Sequence, residues 1–395
     1  EEAYLVQKLV RAAFGTNNVD TCARVCHSPT GYGMGQTFGT SAGTQTFKSV
    51  EHADMIMVIG ANPTDAHPVF ASRMKKRLRA GAQLVVIDPR RSETAAAADW
   101  HLFIRPGTDA FLLFALVKLR FDGGRVVLGH LAGRVDGLEQ LRALAAPFTP
   151  EAVQGSTGVA AADIRRLCEQ FCAAEKPVIY GRIGLCTQEF GTLASWLVDV
   201  VNLLRGRLDA EGGAMFPRPA TGQGEDSDSV GQLLRGRWHS KVRGFPEYMS
   251  MPPATLMAEE LAWDGPDRVR ALITVAGNPV LSVPNGDRLR EAMDGLEFVV
   301  ALDIYINETT SRADVILPSA VQVEHSNYDF LFQSTSVRNF ARYSPQALAR
   351  RGIVLVECGR HFGIGQPCVR EHHRRIKTVA PDRTVAGDLH VTHHA

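Results

Sequence analysis

The chain is sparing with cysteine, with aromatic residues and with net charge. Seven cysteines occur in 395 residues, at 22, 26, 168, 172, 186, 358 and 368. They are odd in number and never fall as CxxC, which excludes a small disulfide-built scaffold and a four-thiolate zinc site. Such usage fits a reducing, cytoplasmic compartment. A formal net charge of +1 offers no electrostatic footprint for nucleic acid or an anionic membrane surface. The apolar stretch WLVDVVNLL (196 to 204) is short and carries Asp199, so no membrane span is expected. Two fingerprints are also missing. No GxxxxGK[ST] occurs, and no GxGxxG follows the first strand, which sets aside a P-loop and a standard NAD or FAD site. The sequence opens on Glu1, inside a helix-like EEAYLVQKLVRAAFG, and is expected to be a fragment.

What is present is an ordinary globular composition, 45% hydrophobic and 22% charged, in a length that suggests two or three domains. Buried strands are expected at Met55 to Ile59, at Gln83 to Ile87 and at 101 to 105, with a helix from about Thr108. A helix-rich stretch covers about 136 to 175. A strand, PVIYG, a turn, GRIGLCTQEFG (181 to 191), and a long helix follow. Residues 216 to 250 read as a Gly/Pro-rich connecting or lid segment. Strands alternating with helices predict a parallel, doubly wound sheet, whose ligands bind beyond the C-terminal strand ends.

The pattern then recurs. Gly60-Ala61-Asn62-Pro63 resembles Gly277-Asn278-Pro279. Asp88, Glu93, Thr94 and Asp99 are matched by Asp303, Glu308, Thr309 and Asp314. The fold class is therefore α/β, with two doubly wound, mainly parallel half-domains related by an internal repeat. A Gly after a strand lets a ligand approach the backbone, helix N-termini favour phosphate, and a strand-end Asp accepts from a ribose or a purine amino group. Asp88 and Asp303 fit that role, or the simpler one of helix N-cap. Glu324 and His325 either reach a ligand or cap a loop.

NVDTCARVCHSPTGYG (18 to 33) sets Cys26 beside His27 in a composition typical of a loop. A thiol beside cations favours the thiolate, the form that ligates metal or attacks. The plain alternative is a surface cysteine near a helix end. Cys22, Cys168 and Cys172 read as packing residues.

Four stretches, NNVDTCARVCHSPTGYG, VIGANPTDAHPV, VVIDPRRSETAAAAD and DIYINETTSRADVILP, together resemble the large subunits of molybdopterin oxidoreductases, the bis-molybdopterin guanine dinucleotide enzymes of the dimethyl sulfoxide reductase superfamily. The resemblance covers about 3 to 345 and is nearest to formate dehydrogenases over 3 to 75. It implies Cys26 as the protein ligand to molybdenum (or tungsten) and His27 as its proton-handling neighbour. It implies one dinucleotide lined by Gly60, Asn62, Asp65, His67, Asp88, Arg90, Gly107 and Asp109, with Gly184 and Gln188 approaching a pterin. Gly277, Asn278, Asp303 and Thr309 would line a second. Arg218 is the nearest counterpart of an arginine that helps bind formate in that family. The domains implied are 1–26, leading to the metal-ligand loop; 27–215, the first dinucleotide-binding domain; 216–345, the second; and 346–395, an unassigned, His-containing tail.

The expected activity is the two-electron oxidation of formate to carbon dioxide. The alternatives are a nitrate-reductase-like conversion of an oxyanion and a non-catalytic, truncated cofactor-binding remnant. Iron–sulfur or flavin electron-transfer subunits are the implied partners. The family's [4Fe–4S] ligands have no counterpart in this sequence.

Overall fold

The computed structural model describes residues 2–38, 48–214, 235–248, 251–328, 342–349 and 356–357. They fall into two compact units. The larger comprises residues 23–38 and 48–214; the smaller comprises 2–22, 235–248, 251–328, 342–349 and 356–357. The smaller unit includes the first helix, α1 (Glu2–Lys8), and the π-helical turn Leu9–Ala13.

A four-stranded, wholly parallel sheet organises the larger unit, in the order β3-β2-β1-β4. Its strands are β1 (Met55–Ile59), β2 (Gln83–Ile87), β3 (Trp100–Leu102) and β4 (Pro177–Gly181). All five residues of β1 are buried. A parallel strand covered on both faces needs such a continuous apolar run. The period of two sorts its side chains. Met55, Met57 and Ile59 join one core with Val85 and Ile87, while Ile56 and Val58 join another with Leu84 and Val86.

The chain enters this unit through α2 (Ala23–Cys26) and α3 (Ser28–Phe38). After β1 come α4 (Pro63–Ala66) and α5 (Pro68–Arg79), whose Phe70 and Met74 cover one sheet face. After β2 comes α6 (Glu93–Ala96), capped by the Ser92 hydroxyl. Then follow α7 (Asp109–Asp122), α8 (Leu138–Ala145), α9 (Pro150–Thr157) and α10 (Ala161–Ala173). After β4 come α11 (Ile183–Cys186) and α12 (Gly191–Leu203). Helices α7 and α12 cover the second sheet face with Leu112, Leu113, Leu197 and Val201. As an edge strand β4 would leave backbone groups open. The buried Asn202 side chain closes them, accepting from Ile179 N at 3.1 Å and donating to Ile179 O at 3.0 Å.

The smaller unit contains a second four-stranded sheet, ordered β12-β9-β8-β7. A hairpin of β5 (Arg235–His239) and β6 (Pro246–Tyr248) precedes it, with α13 (Met257–Leu261) following the hairpin. Strands β7 (Ala271–Val275), β8 (Phe298–Leu302) and β9 (Val315–Leu317) are parallel. Between β7 and β8 lie α14 (Pro279–Ser282) and α15 (Gly286–Asp294). Short pairs complete the unit: β10 (Asn327–Tyr328) with β11 (Tyr343–Ser344), and β12 (Val356–Glu357) antiparallel to β9. Ala258, Leu289, Met293, Val299 and Ile316 form its core.

Five expectations change. Residues 28–38 are helical, because their glycines serve helix packing. Gly31, Gly33 and Gly35 are buried, and a β-carbon on Gly33 would stand 3.2 Å from Trp196 Cβ and 3.3 Å from Thr192 O of α12. Strand β3 stops at Leu102, because the chain turns out of the sheet and Arg105 N donates to Thr157 O at 2.8 Å. Part of the stretch read as a connection forms the β5–β6 hairpin, held by buried Glu247. Its Oε1 accepts from Arg237 Nε at 2.7 Å and its Oε2 from Arg237 N at 3.1 Å. Cys22 is exposed, not packed. Lastly, the left-handed position after β7 belongs to Ala276 (φ 48°), where Gly60 (φ 57°) stands after β1, so Gly277 is not the counterpart of Gly60.

Candidate active-site crevice

In the order β3-β2-β1-β4 the chain runs outward from β1 to β3 and then returns to the other side of β1. The C-terminal ends of β1 and β4 therefore flank a topological switch point, where open α/β sheets bind ligands. Two glycines close it. Gly184 N donates to Gly60 O at 3.0 Å. A β-carbon on Gly184 would lie 2.7 Å from that oxygen, and one on Gly60 would lie 2.9 Å from Leu185 N.

Gln188, just beyond α11, donates through Nε2 to Gly184 O (3.0 Å) and to Asp109 Oδ2 (2.9 Å). Both partners are acceptors, which fixes the amide orientation. Its Oε1 is then buried without a hydrogen-bond partner among the described residues. Asp109 is 5% exposed at the start of α7. Burial pushes its carboxyl above the usual range, the Gln188 and backbone hydrogen bonds oppose that, and Asp88 adds to it. Gly107 (φ 84°) makes the turn that brings α7 to this place. His67, half-buried between α4 and α5, has its proton affinity lowered by burial first and by Arg182 second. Asp65 is exposed on α4.

The Asn62 amide is engaged at both ends. Nδ2 donates to Glu93 Oε2 at 2.7 Å, and Oδ1 accepts from Thr94 Oγ1 at 2.7 Å. Thr94 Oγ1 in turn accepts from Thr64 N. The smaller unit repeats this clamp. Asn278 Nδ2 donates to Glu308 Oε2 at 2.7 Å, its Oδ1 accepts from Thr309 Oγ1 at 2.6 Å, and Val280 N donates to Thr309 Oγ1. Both threonines are fully buried. Asn62 and Asn278 also share backbone angles, φ −123° and −117° with ψ 72° and 70°. The aspartates beyond match as well: Leu84 N donates to Asp99 Oδ2 and Val299 N to Asp314 Oδ2. The sequence showed these spacings, but a side chain shared between two loops became visible only here.

Asp88 Oδ1 accepts from Arg90 N at 2.8 Å, and Asp303 Oδ1 accepts from Ile304 N and Tyr305 N at 2.7 and 3.1 Å. Each aspartate shapes the turn leaving its strand. Arg90 is exposed, 3.9 Å from Glu93. Gly277 lies in the β7–α14 loop. Glu324 is buried and accepts from Val321 N; His325 Nδ1 lies 2.9 Å from Ser326 O.

Cys26 is the last residue of α2, and His27 joins α2 to α3. His27 N donates to Ala23 O, and Gly31 N donates to His27 O. This corner packs on α11, the element that carries Gly184. Thr30 Oγ1 lies 3.2 Å from Cys186 Sγ, which lies 3.5 Å from Ser195 Oγ of α12. The expected metal-ligand segment and the switch point thus belong to one unit. Arg218 and the His-containing tail lie outside the described residues.

Parallel α/β architecture, a repeated strand–clamp–helix half and a backbone-closed switch point define a ligand-binding α/β scaffold. The molybdopterin oxidoreductase family model matches residues 1–342, and the chain belongs to that family. It is 30% identical over 345 residues to formate dehydrogenase H of Escherichia coli (strain K12), covering 82% of this chain and 47% of that protein. It is 31% identical over 332 residues to the F420-dependent formate dehydrogenase subunit alpha of Methanocaldococcus jannaschii, covering 82% and 49%. A nitrate reductase of Symbiobacterium thermophilum is 30% identical over 399 residues, covering 93% and 52%. The fold is shared with acetylene hydratase from Pelobacter acetylenicus, at a TM-score of 0.69 and 18% identity, over 85% of this chain and 49% of that one. The chain spans about half the length of the curated relatives it matches. No helix among the described residues is long and apolar enough to cross a membrane.

The family implies molybdenum or tungsten held by a molybdopterin. The crevice fits such a group in one respect: the orphaned Gln188 Oε1 is a buried acceptor suited to the N–H groups of a pterin.

Proposed function

We propose that this chain is the catalytic part of a molybdenum or tungsten oxidoreductase that oxidises formate to carbon dioxide. The observation that carries the reading is the orphaned Gln188 acceptor, set at a glycine-closed switch point in the unit that also contains Cys26 and His27. Gly60, Asn62, Asp65, His67, Asp88, Arg90, Gly107, Asp109, Gly184 and Gln188 would hold one guanine dinucleotide form of the cofactor. Gly277, Asn278, Asp303 and Thr309 would hold the other. When bound, the cofactor supplies a metal that takes up an electron pair. Cys26 contributes a soft thiolate ligand, His27 accepts the substrate proton at its imidazole, and Arg218 pairs with the substrate anion. Iron–sulfur or flavin subunits would carry the electrons onward.

A second reading, reduction of an oxyanion such as nitrate, is supported by the likeness to the Symbiobacterium thermophilum nitrate reductase over 93% of this chain. The test is expression with cofactor supply, elemental analysis, and assay with formate plus an artificial acceptor and with nitrate plus an artificial donor. About one molybdenum or tungsten per chain with formate turnover supports the first reading. Nitrate turnover alone supports the second. A metal-free protein under these conditions overturns both and leaves the non-catalytic remnant.

A further inference from the structure

Side chains from three helices fasten the Cys26–His27 corner to the crevice. Thr30, in the first turn of α3, sets its Oγ1 3.2 Å from Cys186 Sγ. Cys186 ends α11, and its Sγ lies 3.5 Å from Ser195 Oγ of α12. Cys186 and Ser195 are both buried, so water is a poor substitute for either contact. A hydroxyl or a thiol can donate one hydrogen bond and accept another, so the row of three satisfies both contacts at once.

The neighbours on each helix show what this row holds in place. Gly184, on the same single turn as Cys186, donates through its N–H to Gly60 O and so forms the closure of the switch point. Gly33, one turn beyond Thr30 on the same face of α3, lies against Thr192 and Trp196 of α12. That glycine contact lets α3 approach α12, but apolar packing is non-directional. A hydrogen bond has a direction, and the Thr30–Cys186 contact fixes the first turn of α3 on α11. The corner is also bonded within itself. Ser28 Oγ donates to Ala23 O at 3.3 Å, His27 N to Ala23 O at 2.9 Å and Gly31 N to His27 O at 2.8 Å. A turn bonded in this way moves as one piece, so an anchor at Thr30 also fixes the backbone of Cys26 and His27.

We infer that Cys186 is a positioning residue, which through Thr30 and Ser195 fixes the Cys26–His27 corner relative to the switch point. The inference rests on the proposed roles of Cys26 as metal ligand and His27 as proton acceptor. Helix α11 carries both Gly184 of the crevice and Cys186 under the corner, so the two parts of the site keep one spacing. An apolar residue at 186 would preserve packing but leave the corner free to slide. It would also deprive the buried Ser195 hydroxyl of its Cys186 contact.

The test compares the full chain with Thr30→Val and Cys186→Ala, which remove the contact, and with Thr30→Ser and Cys186→Ser, which keep a hydroxyl in its place. Hydrogen exchange of the cofactor-free chain reads the corner at the His27 and Gly31 amides. Both contact-removing variants should exchange there about three- to tenfold faster, the worth of one modest hydrogen bond. Strands β1 and β4 should be unchanged, and the serine variants close to the wild type. In the metal-loaded chain the same two variants should lose roughly tenfold in kcat, the effect of a small misplacement, at wild-type metal content and KM, with serine again restoring it. Turnover is read with formate or, under the second reading, with nitrate. Should Cys186→Ala fail to fold, Thr30→Val, at a half-buried position, carries the test. A wild type without turnover on either substrate ends the functional reading, while the exchange comparison alone decides the anchoring. Unchanged corner exchange in Thr30→Val, or undiminished kcat in a variant whose corner has loosened, overturns the inference.

Discussion

Gly184 stands with its N–H 3.0 Å from the Gly60 carbonyl oxygen, and a β-carbon on Gly184 would reach to 2.7 Å of that oxygen. The obstacle is backbone, so a rotamer change cannot relieve it. Gly184→Ala is expected to destabilise the protein by about 1–3 kcal/mol, the usual cost of overpacking. It should also lower cofactor content, because β1 and β4 are forced apart at the switch point. Denaturant unfolding and metal analysis on one preparation check both effects, and an unchanged midpoint with full metal would count against the closure.

The two clamps should fail alike. Asn62→Ala and Asn278→Ala each remove the amide oxygen that accepts from a buried threonine hydroxyl, a loss of about 1–3 kcal/mol, towards the lower end for Asn62 because Thr64 Oγ1 offers Thr94 a second acceptor at 3.0 Å. The clamps lie in different units, so the double variant should show the sum of the single losses. Asn62→Asp sets a carboxylate against Glu93 in place of an amide. Its Tm should fall at neutral pH and recover as the pH is lowered through the carboxylate range.

Asp199 gives a pH signature. Burial pushes its carboxyl up to about 7 from the ordinary value of 3.8. A raised folded-state value means that between these limits the native chain binds more protons than the unfolded chain. This contribution to stability is fully present below the ordinary carboxylate range and is lost as pH rises through about 7. Asp199→Asn should flatten that decline and make the variant the more stable form at pH 8. Urea midpoints from pH 4 to 8 decide it.

At the proposed metal site, Cys26→Ala is expected to abolish turnover while the unfolding transition is kept. Cys26→Ser should behave similarly, since oxygen changes the electronics of the metal. His27→Ala should lower the rate by ~10²–10⁴-fold, the typical worth of a general base, at undiminished metal content. Wild-type formate oxidation by either Cys26 variant would remove the ligand assignment.

Asp88→Ala and Asp303→Ala should each weaken retention of one guanine dinucleotide, read as guanine nucleotide released on denaturation. Release of none from the wild type would overturn the two-dinucleotide reading.

The sequence by itself determined the strands β1, β2 and β4, whose bounds 55–59, 83–87 and 177–181 can be read from apolar runs ended by Gly or Asp. Doubly covered parallel strands write their burial directly into composition. It also determined the repeat, because matched turns require matched residues at matched spacing. Tertiary structure decided what composition opposes. SPTGYGMGQTF is a poor helix in isolation, yet it is α3, because glycine lets it lie close against Trp196 and Thr192 of α12. Ala276 holds a left-handed angle that glycine ordinarily occupies. The buried Gln188 acceptor, without a partner among the described residues, exists only once distant segments meet. Hydrogen-bond deficits of this kind belong to three-dimensional neighbourhoods, and no local pattern of residues records them.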